Sequence, residues 1–273
     1  MELVRIATYH SPLREKFGVP RQSGLAPSVK GRIVFEPAFR DANALRGLEG
    51  FSHIWLLWAF SANRPAGHSG QGRETSWTPT VRPPRLGGNT AMGVFATRSP
   101  YRPNPIGLSS VRLESIDLST PDGPVLHVCG ADLMDGTPIY DIKPYVSYAD
   151  SHPDATSGFV DATPWEPLTV VIPDKFRQQI QNTFPDVKEA RLHLRSLEEI
   201  LSQDPRPQYH RSNPVISTAP SVISTVPSVI STAPSVISTE AEKSPPKTYG
   251  LSYGPWNIRF TVSGTVLTVI DIQ

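Results

Sequence analysis

Residues 75–113 contain Arg82, Arg85, Arg98, Arg102 and Arg112 and not one Asp or Glu, in a chain whose formal net charge is only +1. So local an imbalance makes a positive field suited to phosphates, carboxylates or another anionic ligand. The stretch is also dense in Pro and Gly, reading Val81-Arg82-Pro83-Pro84-Arg85-Leu86-Gly87-Gly88 and then Thr97-Arg98-Ser99-Pro100-Tyr101-Arg102-Pro103-Asn104-Pro105. Proline fixes the backbone while guanidinium groups present forked donors, which together hold an anionic or planar ligand in one orientation. Composition leaves open a plainer role, a rigid hairpin whose arginines pair with surface carboxylates.

Two more segments share this density. Val19-Pro20-Arg21-Gln22 is one; the other is Asp132-Leu133-Met134-Asp135-Gly136-Thr137-Pro138, continuing through Asp141 and Lys143 to Tyr145. Its carboxylates are acceptors and potential bases, although Asp-Gly-Thr-Pro is also ordinary turn chemistry. Asp132, Asp135 and Asp141 are of the type magnesium takes, but no spacing makes them converge, and no metal is expected. The seven histidines are dispersed, without the i, i+4 pairing of a helical metal site, and His53 reads as a hydrogen-bonded structural residue. Glycine fingerprints of Rossmann and P-loop sites and the Gly-x-Ser-x-Gly elbow are absent. With Cys129 the only cysteine, neither an intrachain disulfide nor a cysteine-rich zinc site can form. That cysteine usage, and an amino terminus without a basic then apolar stretch, point to a cytoplasmic protein with no membrane span.

The elements that must position these segments divide the chain in two. Residues 1–165 carry short β-type runs, such as Ile54-Trp55-Leu56-Leu57-Trp58-Ala59-Phe60 and Val125-Leu126-His127-Val128-Cys129, separated by Pro and Gly. A mainly β fold is expected, with the strands of this N-terminal domain in one sheet closed as a barrel, which removes exposed edges. Residues 166–273 read as a smaller α+β C-terminal domain. Helices are expected over 174–183 and 186–202, the second with Val187, Ala190, Leu194, Leu197 and Leu201 on one face, then a hairpin turning at Ser263-Gly264. Between them Val-Ile-Ser-Thr recurs from Val215, Val222, Val229 and Val236, with Pro220, Pro227 and Pro234 in register. Proline at each seventh residue rules out a coiled coil at a cost of roughly 3 kcal/mol per interior site, so about 212–246 is expected to be a disordered insertion.

Taken in order, several motifs resemble the TrmO (TsaA-like) family of tRNA threonylcarbamoyladenosine methyltransferases. They are Ser11-Pro12 with Lys16-Phe17 and Pro20-Arg21-Gln22, Arg46-Gly47-Leu48-Glu49 with Phe51-Ser52-His53, the 82–107 segment, Asp135-Gly136-Thr137-Pro138 with Asp141-Ile142-Lys143-Pro144-Tyr145, and Asp204-Pro205-Arg206-Pro207 with Tyr209. The resemblance implies a β-barrel methyltransferase outside the Rossmann class, using S-adenosylmethionine, working as a homodimer, and holding tRNA with help from the C-terminal domain. The implied substrate is N6-threonylcarbamoyladenosine beside the anticodon, methylated on that nitrogen. Matched onto this chain, the cofactor site comprises Pro20, Arg21, Gln22, Ser61, Ala62, Arg98, Leu108, Cys129, Gly130, Ala131 and Asp132. Relatives often carry His-Gln where Ser61-Ala62 stands, and loop 63–76 is longer here.

An amide-like nitrogen is a poor nucleophile until its proton is withdrawn, so a base is expected; the candidates are Asp135 and Tyr145, oriented by Asp141 and Lys143. Arg82, Arg85, Arg102 and Lys143 are the expected substrate contacts, with the arginines meeting the threonyl carboxylate. Two other readings stay open, a non-catalytic tRNA or nucleotide-binding adaptor and a small-molecule methyltransferase on the same barrel.

Overall fold

The computed structural model describes residues 2–61, 78–163, 165–207 and 247–273. Ala62, loop 63–76, Tyr209 and the repeat lie outside the described residues.

Six strands make one closed antiparallel barrel: β1 (Ala7–His10), β2 (Lys30–Phe35), β3 (His53–Ala59), β6 (Ile106–Thr120), β7 (Gly123–Cys129) and β8 (Thr137–Pro144), in the order β1-β2-β7-β6-β3-β8. The intervening β4 (Thr80–Val81) and β5 (Met92–Gly93) form a small separate ribbon. Period-two alternation turns one set of side chains inward. Tyr9, Ile33, Ile54, Leu56, Leu126, Val128 and Ile139 are almost fully buried and share the barrel core. Two large rings fill space beside glycines. A Cβ at Gly107 would stand 2.3 Å from the Trp58 indole, and one at Gly31 would stand 2.3 Å from the Tyr9 ring. Only glycine admits these rings.

After the short helix α1 (Ser147–Asp150), a second unit has the sheet order β10-β11-β12-β9, from β9 (Thr169–Val171), β10 (Thr248–Tyr253), β11 (Trp256–Ser263) and β12 (Val266–Ile272). Its helices are α2 (Asp174–Thr183) and α3 (Val187–Ser202), the latter capped by the Asp186 side chain accepting from Lys188 N. Leu194, Leu197, Ile200 and Leu201 of α3 pack with Ile258, Phe260, Leu267 and Val269 of the sheet. Leu13, Ala26 and Val29, from the loop between β1 and β2, belong to this same core. Packing therefore crosses the expected division near residue 165. Among the described residues no helix is long and apolar enough to cross a membrane.

Candidate functional site

One end of the barrel is where β3 and β7 finish and β6 begins, and three loops meet there. Residues 20–29 come first: Gly24 N donates to Gly130 O (2.8 Å) and Gly130 N donates to Val29 O (2.9 Å), stitching this loop to the turn after β7. The arginine segment comes second, with Arg98 Nη1 donating to Gln22 Oε1. Asp132, in the turn before β8, comes third. It accepts from Ser109 Oγ at 2.5 Å, and Ser109 Oγ in turn accepts from Trp58 Nε1 at 2.9 Å. Burial pushes the Asp132 carboxyl above its usual value; Ser109, a backbone bond from Ser23 and the charge of Arg98 oppose the rise. Gln22, Arg98, Cys129–Asp132 and, through the loop, Pro20 and Arg21 are thus brought to one mouth. Arg21 faces Asp204 and Arg85, and desolvation lowers its affinity for the proton.

Beneath the mouth, Tyr9 Oη is buried with no hydrogen-bond partner of normal geometry among the described residues. Burial raises this phenol far above the ordinary range, with Asp132, Cys129 and Asp135 adding to the rise and Ser11 opposing it. A buried donor left without an acceptor is costly unless a ligand or water meets it.

Other expected site residues lie apart from this cluster. The Leu108 side chain points out of the barrel, 58% exposed, next to the inward Ser109. Ser61 follows β3 and is exposed. Cys129 is buried, and its thiol is raised by desolvation and by Glu114, among Lys30, Arg112 and Glu114 rather than at the mouth; its backbone remains in the stitched turn. Asp135 is at the mouth end, but its Oδ1 accepts from Ser11 N (3.1 Å) and lies 3.2 Å from His10 Nδ1, beside a groove of about 420 Å³ floored by Arg32 and His127. Tyr145 follows the far end of β8 and packs near His53 and Trp55, in a separate cleft. Within one chain Asp135 and Tyr145 therefore do not share a site. Asp141 pairs with Lys143 at 2.9 Å, so the three aspartates reach three different partners. Among the described residues no group of three metal-ligating side chains converges.

The substrate arginines differ in freedom. Arg102 Nη1 donates to Thr97 O (3.0 Å) and Ser99 O (3.3 Å), Arg85 Nε donates to Thr163 O (2.9 Å), and Arg82 is exposed. Sequence reasoning passed over Ser109, Trp58 and Tyr9. Their signal was a polar or amphipathic side chain at an inward position of a strand, visible only once the alternation of β6, β3 and β1 is phased.

The family model for the tRNA-methyltransferase O N-terminal domain matches residues 8–151. The tRNA (adenine(37)-N6)-methyltransferase of Escherichia coli (strain K12) is 42% identical over 207 residues, spanning 76% of this chain and 83% of that protein. RcsF of Pseudomonas aeruginosa, provisionally named an S-adenosylmethionine-dependent methyltransferase, is 42% identical over 209 residues, 77% of this chain and 83% of its own. The crystal structure of TrmO from Pseudomonas aeruginosa superposes with a TM-score of 0.67 at 29% identity, covering 100% of this chain and 98% of that one.

Proposed function

The chain belongs to the tRNA-methyltransferase O family, and from that premise we propose that it is an S-adenosylmethionine-dependent enzyme that methylates N6 of adenosine 37 in tRNA where that nitrogen already carries a threonylcarbamoyl group. The observation that carries this reading is the meeting of Arg98, Gln22 and Asp132 at the barrel mouth. S-adenosylmethionine bears a carboxylate, an ammonium and a sulfonium. The mouth offers a guanidinium for the first, a carboxylate for the cationic groups and the buried Tyr9 hydroxyl as a further donor, so the donor set fits.

When bound, the cofactor supplies an electrophilic methyl group. In this reading Arg98, Arg21 and Gln22 hold its carboxylate, Asp132 faces its positive charge, and the backbone of Cys129, Gly130 and Ala131 lines it. Pro20 completes the rim, whereas the Leu108 side chain points away from it. Asp135 is the proton acceptor for N6, because it stands at the mouth end. Tyr145, across the barrel, would take part only from a second protomer, and a homodimer is part of the proposal. Arg82, Arg85 and Arg102 face the threonyl carboxylate and the phosphates, with Lys143 at the far end of β8 as an outer contact. Residues 1–165 carry the chemistry, 166–273 help hold tRNA, and the protein is cytoplasmic.

A site built around such polar contacts discriminates against a substrate that leaves them unpaired. Labelled methyl transfer to tRNA prepared with and without the threonylcarbamoyl group tests this. One methyl per modified tRNA and almost none on plain adenosine is expected. Equal labelling overturns the substrate assignment; labelling of neither overturns the enzyme and favours a binding adaptor.

A further inference from the structure

We propose that the groove on the outer wall of the barrel, where Arg32 stands between His10 and His127, seats a backbone phosphate of the tRNA; this rests on the tRNA reading above and adds a contact outside the arginine segment. Strand alternation puts these three side chains on one face. Tyr9, Ile33, Leu126 and Val128 fill the core, so His10 of β1, Arg32 of β2 and His127 of β7 point out of it. The ladder brings them level, since Arg32 pairs in register with His10 on one side and with His127 on the other. Directly opposite side chains leave the backbone about 5 Å apart, so this row offers donors from three strands to a single group. With Lys30, Glu114 and Asp135 they line a hollow of about 420 Å³.

Both carboxylates of the groove are already engaged. Asp135 Oδ1 accepts from Ser11 N at 3.1 Å and lies 3.2 Å from His10 Nδ1, and Glu114 Oε1 lies 3.0 Å from Lys30 Nζ. Among the described residues the side chains of Arg32 and His127 have no hydrogen bond or ion pair. The cation at the centre of the row is thus the one left for an outside anion. A carboxylate would be saturated by the Arg32 fork alone, whereas a phosphate has further oxygens for the imidazole on the neighbouring strand. The RNA backbone is the source, because the groove ends at Asp135, the acceptor for N6 in the reading above, and a nucleotide held there carries a phosphate on either side.

The test titrates the full chain with tRNA at several salt concentrations. Wild type is expected to bind, and Arg32→Gln to bind at least fivefold more weakly with a log-log salt slope shallower by about 0.7, the share of one single-strand phosphate. His127→Gln is expected to weaken binding at least twofold, and Arg32→Lys to restore the slope. Arg5→Gln removes the same charge at the other end of β1, where Arg5 pairs with Glu36 at 2.9 Å, and is expected to change the affinity less than twofold. S-adenosylmethionine affinity by calorimetry is expected to stay within twofold in all four variants, which separates a lost RNA contact from a disturbed barrel. Wild-type affinity and slope in Arg32→Gln would overturn the phosphate seat, as would an equal loss in Arg5→Gln, which would make the effect one of net charge. Inorganic phosphate binding that Arg32→Gln abolishes while tRNA affinity holds would also overturn it, because the groove would then serve a free anion. Absence of tRNA binding by wild type would instead sink the tRNA reading itself, and the seat with it.

Discussion

At Asp132 a carboxylate is kept where its charge is poorly solvated. Desolvation raises it from the ordinary 3.8, and the Ser109 hydroxyl, a backbone donor and Arg98 recover only part of the loss. Because the folded-state value lies above the unfolded one, the associated stability is present in full below about pH 3.8 and is lost as pH rises through the raised value. Asp132→Asn is therefore expected to raise the melting temperature near neutral pH and to flatten its pH dependence above about 4, while weakening S-adenosylmethionine binding; thermal unfolding across pH and calorimetry check the two halves. Arg98 is the cationic counterpart. Arg98→Ala is expected to weaken cofactor binding more than tenfold, about 1.4 kcal/mol, by calorimetry. An unchanged affinity would remove Arg98 from the site.

The element that organises the mouth is β6, which presents Gly107 under the Trp58 indole and, two residues on, Ser109 to both Trp58 and Asp132. Gly107→Ala puts a methyl 2.3 Å from that indole. Overpacking of this kind costs about 1–3 kcal/mol, a fall in melting temperature of roughly 2–12 °C in a scan, and it should loosen the Ser109 link as well. Much of this element structure was legible in the sequence. Short β-type apolar runs marked β3 and β7, three- and four-residue spacing marked α3, and Ser263-Gly264 marked the last turn. Pairing was less so, since β1 closes the barrel against β8, about 130 residues away, through main-chain bonds that side-chain types do not encode. Asp135 and Tyr145 show the same limit at the site. Ten residues are a short walk around a loop but roughly 33 Å along an extended strand, and β8 runs between them.

Across the molecule, the loop bearing Arg21 and Gln22 rests on the second unit. Glu199 of α3, whose side chain is 18% exposed, accepts from Ser28 N and Ser28 Oγ at 2.8 Å each, while Leu13, Ala26 and Val29 enter the second core. Glu199→Ala leaves a shielded amide and hydroxyl without acceptors, and about 2 kcal/mol of stability together with a severalfold loss of cofactor affinity is expected. Glu198→Ala, which breaks only the half-exposed pair with Arg177, is expected to cost about 0.5 kcal/mol and leave the affinity alone; urea unfolding and calorimetry on both variants make the comparison. The same packing orders events during synthesis. The last barrel strand, β8, ends at Pro144, whereas the sheet that seats residues 13–29 includes β10, β11 and β12, ending at Ile272. A nascent chain leaving the ribosome would thus complete its barrel more than a hundred residues before the ligand loop has a surface to lie on, so the pocket ripens last, and a polypeptide released early would be folded in its first half yet unable to hold its methyl donor.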